Sequence, residues 1–174
     1  RRTIMLDAPQ FAPPALKPGE MTEQENAHIA RGEPHVFSLK GKLLEQGRTD
    51  SVLAATEDLT IRLKIYASGG ENELHAHTHE DHAFMILQGS GRFFGPNGEE
   101  IELGKYEGIM LPKGKYYKFF ATSKEPLVMI RVGNPCHDKM AAMGGAARTN
   151  IKGEEMRGDS KENKHVEVIF KDEY

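Results

Sequence analysis

The chain has 174 residues, of which 38% are hydrophobic, and its 23 Lys and Arg against 26 Asp and Glu give a formal net charge of −3. This length suits one domain of ordinary size, and the small acidic excess argues against nucleic-acid binding, which usually needs a basic excess. No segment approaches the roughly 18 apolar residues of a membrane-spanning helix. The single cysteine, Cys136, excludes an intrachain disulfide and, with no recognisable signal peptide, favours a cytoplasmic location.

Residues 1–34 are predicted to form an arm ahead of the main domain. They hold five of the nine prolines, and proline disfavours both helix interiors and central strands. One short helix is predicted from Thr22 to about Ala30. Thr22 and Glu25 have the spacing of a capping box, in which each side chain accepts a hydrogen bond from a free N–H group at the helix start.

Residues 35–133 differ from the arm because short alternating runs are separated by Gly, Asn and Pro. In the clearest run Ile61, Leu63 and Ile65 occupy every second position, which is the period of a half-buried strand. The Gly-Pro-Asn-Gly sequence at 95–98 predicts a hairpin turn. Many short strands at close spacing predict one all-β sandwich or barrel. The other predicted strands cover residues 35–44, 50–56, 74–79, 82–88, 91–95, 99–103, 108–112, 115–122 and 126–132.

Residues 134–174 are predicted to form a C-terminal extension. The Gly- and Ala-rich segment 139–150 and the charged segment 152–164 both predict loops. Valine and phenylalanine occupy alternate positions over 166–170, which predicts one late strand, either at a sheet edge or exchanged with a neighbouring subunit. Because an unpaired strand needs a sheet edge, we predict a homodimer in which the arm or this strand buttresses the partner.

Four of the eight histidines, His75, His77, His79 and His82, lie within eight positions. Residues two apart in a strand point to the same face, so His75 and His77 can direct two imidazoles at one point. Imidazole is the commonest side-chain ligand for transition metals, and His82, which opens the next predicted strand, is the predicted third ligand. His79 lies where the chain turns and is predicted to be exposed or to support a ligand. The alternative is a polar turn with accidental histidines.

The same segment resembles the first motif of the cupin superfamily, which is Gly, five residues, His-x-His, three or four residues, Glu, six residues and Gly. Gly69, the pair at 75 and 77, and Gly89 fit every spacing, with His82 in the Glu place. The second cupin motif is Gly, five residues, Pro-x-Gly, two residues, His, three residues and Asn. Pro112-Lys113-Gly114 matches its centre, while Tyr106, Tyr117 and Ala121 replace the Gly, His and Asn.

This resemblance covers about residues 50–133 and implies a double-stranded β-helix, or jelly-roll, barrel with one divalent metal ion. Iron is the first choice, with Zn, Ni or Mn as alternatives. Ligation by His75, His77 and His82 would leave the ion its full 2+ charge and open positions for substrate. In cupin-like proteins such three-His sites imply dioxygenases, whereas the commoner Fe(II) oxygenase face has two His and one carboxylate.

Other residues near the predicted site have more than one interpretation. Tyr117 is predicted to contact substrate or a ligand, with packing and metal ligation as alternatives. Strand alternation points Phe84, Ile86 and Phe119 inward, where they form an apolar substrate wall or plain core. Arg131, on an otherwise apolar strand, either binds a substrate carboxylate or lies at the rim. Glu80 and Asp81 act as acid or base, or only as turn residues.

The sequence therefore predicts a metal-dependent oxygenase acting on a small chelating organic substrate at a three-His mononuclear site. The second enzyme class is an isomerase, lyase or hydrolase that polarises a carbonyl. The third possibility is a small-ligand-binding protein without activity. No membrane and no nucleic-acid partner is expected.

Overall fold

The computed structural model describes residues 13–14, 20–67, 73–134, 148–156 and 167–173. Within these residues the chain forms one helix, α1 (Glu20–Ile29), and twelve strands. The ten-residue α1, the one helix in the described part of the chain, is too short to cross a membrane. The strands are β1 Lys42–Gln46, β2 Arg48–Ala55, β3 Thr60–Tyr66, β4 His75–His77, β5 His82–Gln88, β6 Gly91–Phe94, β7 Glu100–Leu103, β8 Gly108–Leu111, β9 Lys118–Ala121, β10 Leu127–Gly133, β11 Arg148–Asn150 and β12 Ile169–Glu173.

The strands form antiparallel sheets, which confirms the predicted all-β jelly-roll. The larger sheet has the order β2-β3-β10-β5-β8, and the smaller one has the order β7-β6-β9. Two further pairs, β11-β4 and β1-β12, lie beside them. The non-sequential order, in which β10 lies between β3 and β5, is the crossing connection of a jelly-roll rather than a simple meander.

Side-chain alternation sets the interior of the barrel. On β5, His82, Phe84 and Ile86 are buried, whereas Met85 is 39% exposed. The interior cluster contains Phe84, Ile86, Phe119 and Tyr117 together with apolar residues of β3, β6, β7, β8 and β10. A second cluster, built on Leu44, Leu53, Leu63, Ile65 and Val128, covers the outer face of the larger sheet. The predicted inward direction of the β5 and β9 side chains is therefore observed.

Two glycine positions of the cupin motifs adopt the backbone conformation that favours glycine. Gly89, the last residue of the first motif, has a φ of 73°, and Tyr106, in the Gly place of the second, has a φ of 71°. This left-handed region is uncommon for residues with a side chain. Tyr106 is 84% exposed, so its ring meets little steric hindrance there.

The predicted strand at 35–44 is wrong over its first part, because only Lys42 onward is paired. The preceding segment crosses the outer face of the larger sheet. A Cβ at Gly41 would lie 2.8 Å from Leu63 Cδ2 and 2.9 Å from Ile65 Cδ1. The chain therefore approaches β3 too closely for an ordinary side chain, and it packs there without forming a ladder.

The two ends of the chain also differ from the predictions. The helix begins at Glu20, so Thr22 lies in its first turn and is not the cap. Residues 148–150, predicted as loop, form β11 because they pair with β4. The late strand lies at Ile169–Glu173 and pairs antiparallel with β1 of the same chain. Cys136 and most of the predicted loops lie outside the described residues.

Buried ion pairs cross the interior of the barrel. Arg62 on β3 lies directly opposite Arg131 on β10, and the two residues are 5% and 3% exposed. Arg62 contacts the carboxylate of Glu25 on α1, whose side chain is 4% exposed. Helix α1 also accepts a hydrogen bond through Gln24 Oε1 from Val52 N at 3.2 Å. The helix of the N-terminal arm is thus tied to the larger sheet by a buried charge.

We expect Glu25→Gln to lower the free energy of unfolding by about 3 kcal/mol, because it leaves the buried Arg62 guanidinium without its counter-charge. The exposed Glu23 on the same helix provides the control, since exposed substitutions usually change stability by less than about 0.5 kcal/mol. Urea denaturation of both variants measures the difference. Equal stability of Glu25→Gln and Glu23→Gln would contradict the importance of this pair.

Candidate metal centre

Strand β4, which carries His75 and His77, is held on both sides. On one side β11 pairs with it, so that Arg148 lies opposite His77 and Asn150 opposite His75. On the other side His75 N donates to Tyr117 O at 3.0 Å, and Tyr117 N donates to His75 O at 2.9 Å. Although β4 has only three residues, its backbone direction is therefore fixed.

The three predicted histidine ligands and Tyr117 lie in one cluster of rings. The ring centroids of His75 and His77 are 5.2 Å apart, and those of His77 and His82 are 4.7 Å apart. The ring of Tyr117 lies 4.6 Å from that of His75. The Tyr117 hydroxyl is 3.1 Å from His82 Nε2, within hydrogen-bonding distance. The structure thus brings together the residues that the two motifs predicted.

Glu80, in the turn between β4 and β5, is buried in the same cluster. It is 1% exposed, and its Oε2 lies 2.8 Å from His77 Nδ1. Its other oxygen, Oε1, accepts a hydrogen bond from Arg131 Nη2. Asp81 differs, because its Oδ1 accepts from the backbone N of Lys113 at 2.9 Å. Asp81 is a turn residue, whereas Glu80 belongs to the site.

Among the described residues, His77, Glu80 and His82 form one group in which each side chain offers a ligand atom within 4.8 Å of the others. His77 Nδ1, Glu80 Oε2 and His82 Nδ1 are buried and have no aligned hydrogen-bond partner among those residues. Buried polar atoms are normally paired, and two ligand atoms roughly 2.1 Å from one ion would lie about 3 Å apart at a right angle. The 2.8 Å between His77 and Glu80 therefore fits a divalent ion. His75 and His79 lie outside this group.

Burial keeps the three histidines neutral, which is the form that binds a metal. It lowers the pKa of His75 to about 3 and that of His77 to about 4. Burial, helped by the charge of Arg131, lowers the pKa of His82 to about 2. Burial opposes the ionisation of Glu80, but Arg131 and His77 outweigh it and hold the pKa of this carboxyl well below its usual range.

Tyr117 is a neutral hydrogen-bonding group in this environment. Burial raises the pKa of its phenol well above the usual value, although Arg131 acts in the opposite direction. A histidine that ligates through one ring nitrogen is commonly held by a hydrogen bond at the other. Nε2–H of His82 can donate to Tyr117 Oη, and Nδ1, which is buried without a hydrogen-bond partner among the described residues, is then the ring nitrogen with the lone pair.

The other predicted site residues lie around this cluster. Phe84, Ile86 and Phe119 are each 1% exposed and line the barrel interior. Their contact with a substrate stays a prediction. Arg131 is buried rather than at the rim, and its partner in the structure is Glu80. A substrate carboxylate as a further partner of Arg131 also stays a prediction.

Sequence reasoning gave Glu80 only as an acid, a base or a turn residue, not as a candidate donor, and it did not consider Arg148. A signal for Glu80 was present, since an inward-facing arginine on an apolar strand needs a buried acid, and Glu80 lies three positions after His77. Arg148 carried no such signal, because it belongs to a three-residue strand next to a Gly- and Ala-rich segment. Its charge acts on both His75 and His77.

These features define an antiparallel jelly-roll domain with a candidate metal centre at one end of its barrel. Residues 62–133 match the sequence family described as "Cupin domain". This part of the chain is a cupin domain, which confirms the resemblance inferred from the two motifs. No curated protein matches the chain in sequence.

Several solved structures are similar to part of this chain. KdgF from Halomonas sp. has 21% identity and a TM-score of 0.49, over 54% of this chain and 84% of that chain. The cupin domain of Cnp3 from Schizosaccharomyces pombe has 20% identity and a TM-score of 0.49, over 59% and 73% of the two chains. A cupin-2 domain protein from Shewanella frigidimarina has 25% identity and a TM-score of 0.42, over 48% and 76%.

Because the three histidines are neutral in the folded protein, we predict that the free energy of unfolding of the metal-free protein decreases as the pH falls below about 6.5. Unfolded histidines take up protons near pH 6.5, whereas the lowered pKa values of His75, His77 and His82 keep the folded ones neutral down to about pH 4. Because the unfolded state binds more protons in this window, each histidine lowers the free energy of unfolding by at most about 1.4 kcal/mol per pH unit. Urea denaturation with a chelator between pH 7 and 4.5 tests this.

The variant His82→Asn supplies the control for that measurement, since it removes one of the three titrating groups. Its stability should fall less steeply with decreasing pH than that of the unchanged protein. A flat profile of the unchanged protein between pH 6.5 and 4.5 would contradict the buried, neutral state of the cluster.

Proposed function

We propose that this chain is a cytoplasmic, metal-dependent enzyme whose ion is held by His77, Glu80 and His82. The observation that carries the proposal is the convergence of three buried donor atoms, none with an aligned hydrogen-bond partner among the described residues. Two imidazole nitrogens and one carboxylate oxygen are a donor set suited to Fe(II), with Zn, Ni and Mn as alternatives. When bound, the ion would supply Lewis-acid or redox chemistry.

His75 is proposed as a fourth ligand, as the cupin motif predicted. Its Nδ1 lies 2.7 Å from the carbonyl oxygen of Glu73, to which Nδ1–H can donate. This hydrogen bond leaves the lone pair on Nε2, the usual arrangement of a ligating histidine. Together with Glu80 it would give three histidines and one carboxylate, the composition of a typical cupin site with the carboxylate displaced by two positions.

An oxygenase acting on a small chelating organic substrate is the activity that the donor set supports best. His77, Glu80 and His82 provide the two histidines and one carboxylate that are characteristic of non-haem Fe(II) oxygenases, with His75 as an additional ligand. Phe84, Ile86 and Phe119 would supply an apolar wall that excludes water from the reacting atoms. Tyr117 would orient His82 through its hydroxyl, and Arg131 Nη1, which is buried and has no hydrogen-bond partner in the described part of the chain, would be the atom available to a substrate carboxylate.

One observation favours a second activity, in which the ion only polarises a carbonyl as in an isomerase, lyase or hydrolase. The charge of Glu80 is already matched by Arg131. The carboxylate therefore neutralises less of the charge on the ion than an unpaired carboxylate would, and a more positive ion is a stronger Lewis acid.

Metal analysis of protein purified without a His tag or chelator tests the proposed ligands. We expect about one ion per chain in the unchanged protein and its loss in His77→Ala, Glu80→Ala and His82→Ala, because each change removes one donor of the central group. His79→Ala, in the same segment but outside the donor group, should retain the ion. Tyr117→Phe should bind the ion about 10- to 100-fold more weakly, since it removes only the hydrogen bond on His82.

The same measurements separate the alternatives. Loss of the ion in His75→Ala, but not in Glu80→Ala, would show that the three-His set is correct and that Glu80 is not a ligand. Bound iron with substrate-dependent oxygen uptake supports the oxygenase, and bound zinc or nickel without oxygen uptake supports carbonyl polarisation. Absence of any bound metal in the unchanged protein would contradict the proposal.

We also propose that the protein is a homodimer. Met85 on β5 is 39% exposed and Met110 on β8 is 66% exposed, and both lie on the outer face of the larger sheet. Ala83, directly opposite Met110, and the half-buried Ile130 extend this apolar surface. Contiguous exposed apolar patches commonly mark interaction sites, and a second copy of the chain would cover this one.

Multi-angle light scattering at micromolar concentration should give the mass of two chains. Met110→Lys is expected to produce monomers, because it introduces a charge into the apolar surface. Ile101→Lys, at a position 51% exposed on the other sheet, should leave the dimer intact. A monomeric unchanged protein would contradict this proposal, and so would a dimer that persists in Met110→Lys.

A further inference from the structure

Resting on the proposed metal centre, we propose that Arg131 is a positioning residue for Glu80. Its guanidinium holds one carboxylate oxygen so that the other is presented to the ion beside His77. Arg131 thereby sets the place of the donor without contacting the ion. This assigns to the arginine a role in the metal centre that is separate from any contact with substrate.

The division of the two Glu80 oxygens is the first support for this role. Oε1 accepts a hydrogen bond from Arg131 Nη2, whereas Oε2 lies 2.8 Å from His77 Nδ1. The side chains of Arg131 and Glu80 are 3% and 1% exposed. Water is therefore not available to solvate the carboxylate, and the guanidinium is the group that keeps it ionised and oriented.

The shape of β10 is the second support. Gly133 lies two positions after Arg131, on the same face, directly opposite His82. A Cβ at Gly133 would lie 2.6 Å from His82 Cβ and 3.1 Å from Glu80 Oε1. One strand thus provides both the cation that binds Glu80 and the space in which Glu80 and His82 fit.

The neighbouring arginine shows that a buried Arg–Glu pair in this barrel need not serve the site. Arg62 is directly opposite Arg131 in the β3-β10 ladder and is similarly buried, but its partner is Glu25 on α1. Glu25 and Arg62 are not part of the metal-ligand group found in the described residues. The pair of Arg62 and Glu25 is therefore a matched control for the effect of breaking a buried ion pair.

The test compares Arg131→Met with Arg62→Met in the 174-residue chain, using Co²⁺ alone as the probe. Stability is measured by urea denaturation with a chelator, affinity by competition with a chromophoric chelator, and coordination by the visible absorption spectrum of bound Co²⁺. Both variants should lose stability. Only Arg131→Met should bind Co²⁺ about 10- to 100-fold more weakly and change the Co²⁺ spectrum, because a carboxylate donor has moved.

Two further variants keep the test decisive if Arg131→Met folds poorly. Arg131→Lys retains the charge but not the two-pronged geometry, and its affinity should lie between those of the unchanged protein and Arg131→Met. The double variant Arg131→Met/Glu80→Gln removes both buried charges, so it should recover stability but keep the weakened affinity and altered spectrum.

Equal affinity and an unchanged spectrum in Arg131→Met would overturn the positioning role while leaving the metal centre intact. An equal loss of affinity in Arg62→Met would also overturn it, since the effect would then follow from general destabilisation. If the unchanged protein binds no Co²⁺, the proposed metal centre fails and the role of Arg131 fails with it.

Discussion

Two arginine side chains, Arg62 on β3 and Arg131 on β10, lie directly opposite each other inside the barrel. Both are buried from solvent, so acidic side chains must neutralise their charges. Like charges at directly opposed positions destabilise a sheet, and a buried charge without a partner is far more costly than a buried apolar group. Each arginine has its own acid, Glu25 for Arg62 and Glu80 for Arg131. Neither acid lies on the five-stranded sheet itself. The need to neutralise these two buried arginines therefore places a helix and a turn against the barrel.

The turn that carries Glu80 also connects the two strands that carry the histidines, so the ion pair constrains the candidate metal centre. With its carboxylate drawn to Arg131, Glu80 lies beside His77 and close to His82. The three candidate donors come from six consecutive positions, and one of them, Glu80, is hydrogen-bonded to a cation from a distant strand. A short segment of sequence supplies the candidate donors, and the long-range contact of Arg131 holds Glu80 on the side next to His77.

Much of the fold was predictable because period-two alternation and turn residues are local signals. The strands at 82–88 and 126–132, the turn at 95–98 and the inward direction of Phe84 and Phe119 all follow from such patterns. The role of Glu80 was not predictable in this way, since nothing next to it in sequence shows whether a turn acid is solvated or buried. Its burial depends on Arg131, 51 residues later, and on the absence of a side chain at Gly133.

The C-terminal extension shows a second limit of local signals and adds to the site. The cupin match ends at residue 133, yet residues 148–150 pair with the histidine strand β4. Three residues of Arg, Thr and Asn after a Gly- and Ala-rich segment have no alternation by which a strand could be recognised.

The pairing of β11 with β4 nevertheless gives β4 a partner on its open side, where its backbone groups would otherwise lie at an edge. It also brings the positive charge of Arg148 near His75 and His77, and this favours their neutral form. The segment outside the cupin match therefore supports the strand of His75 and His77 and favours their neutral form.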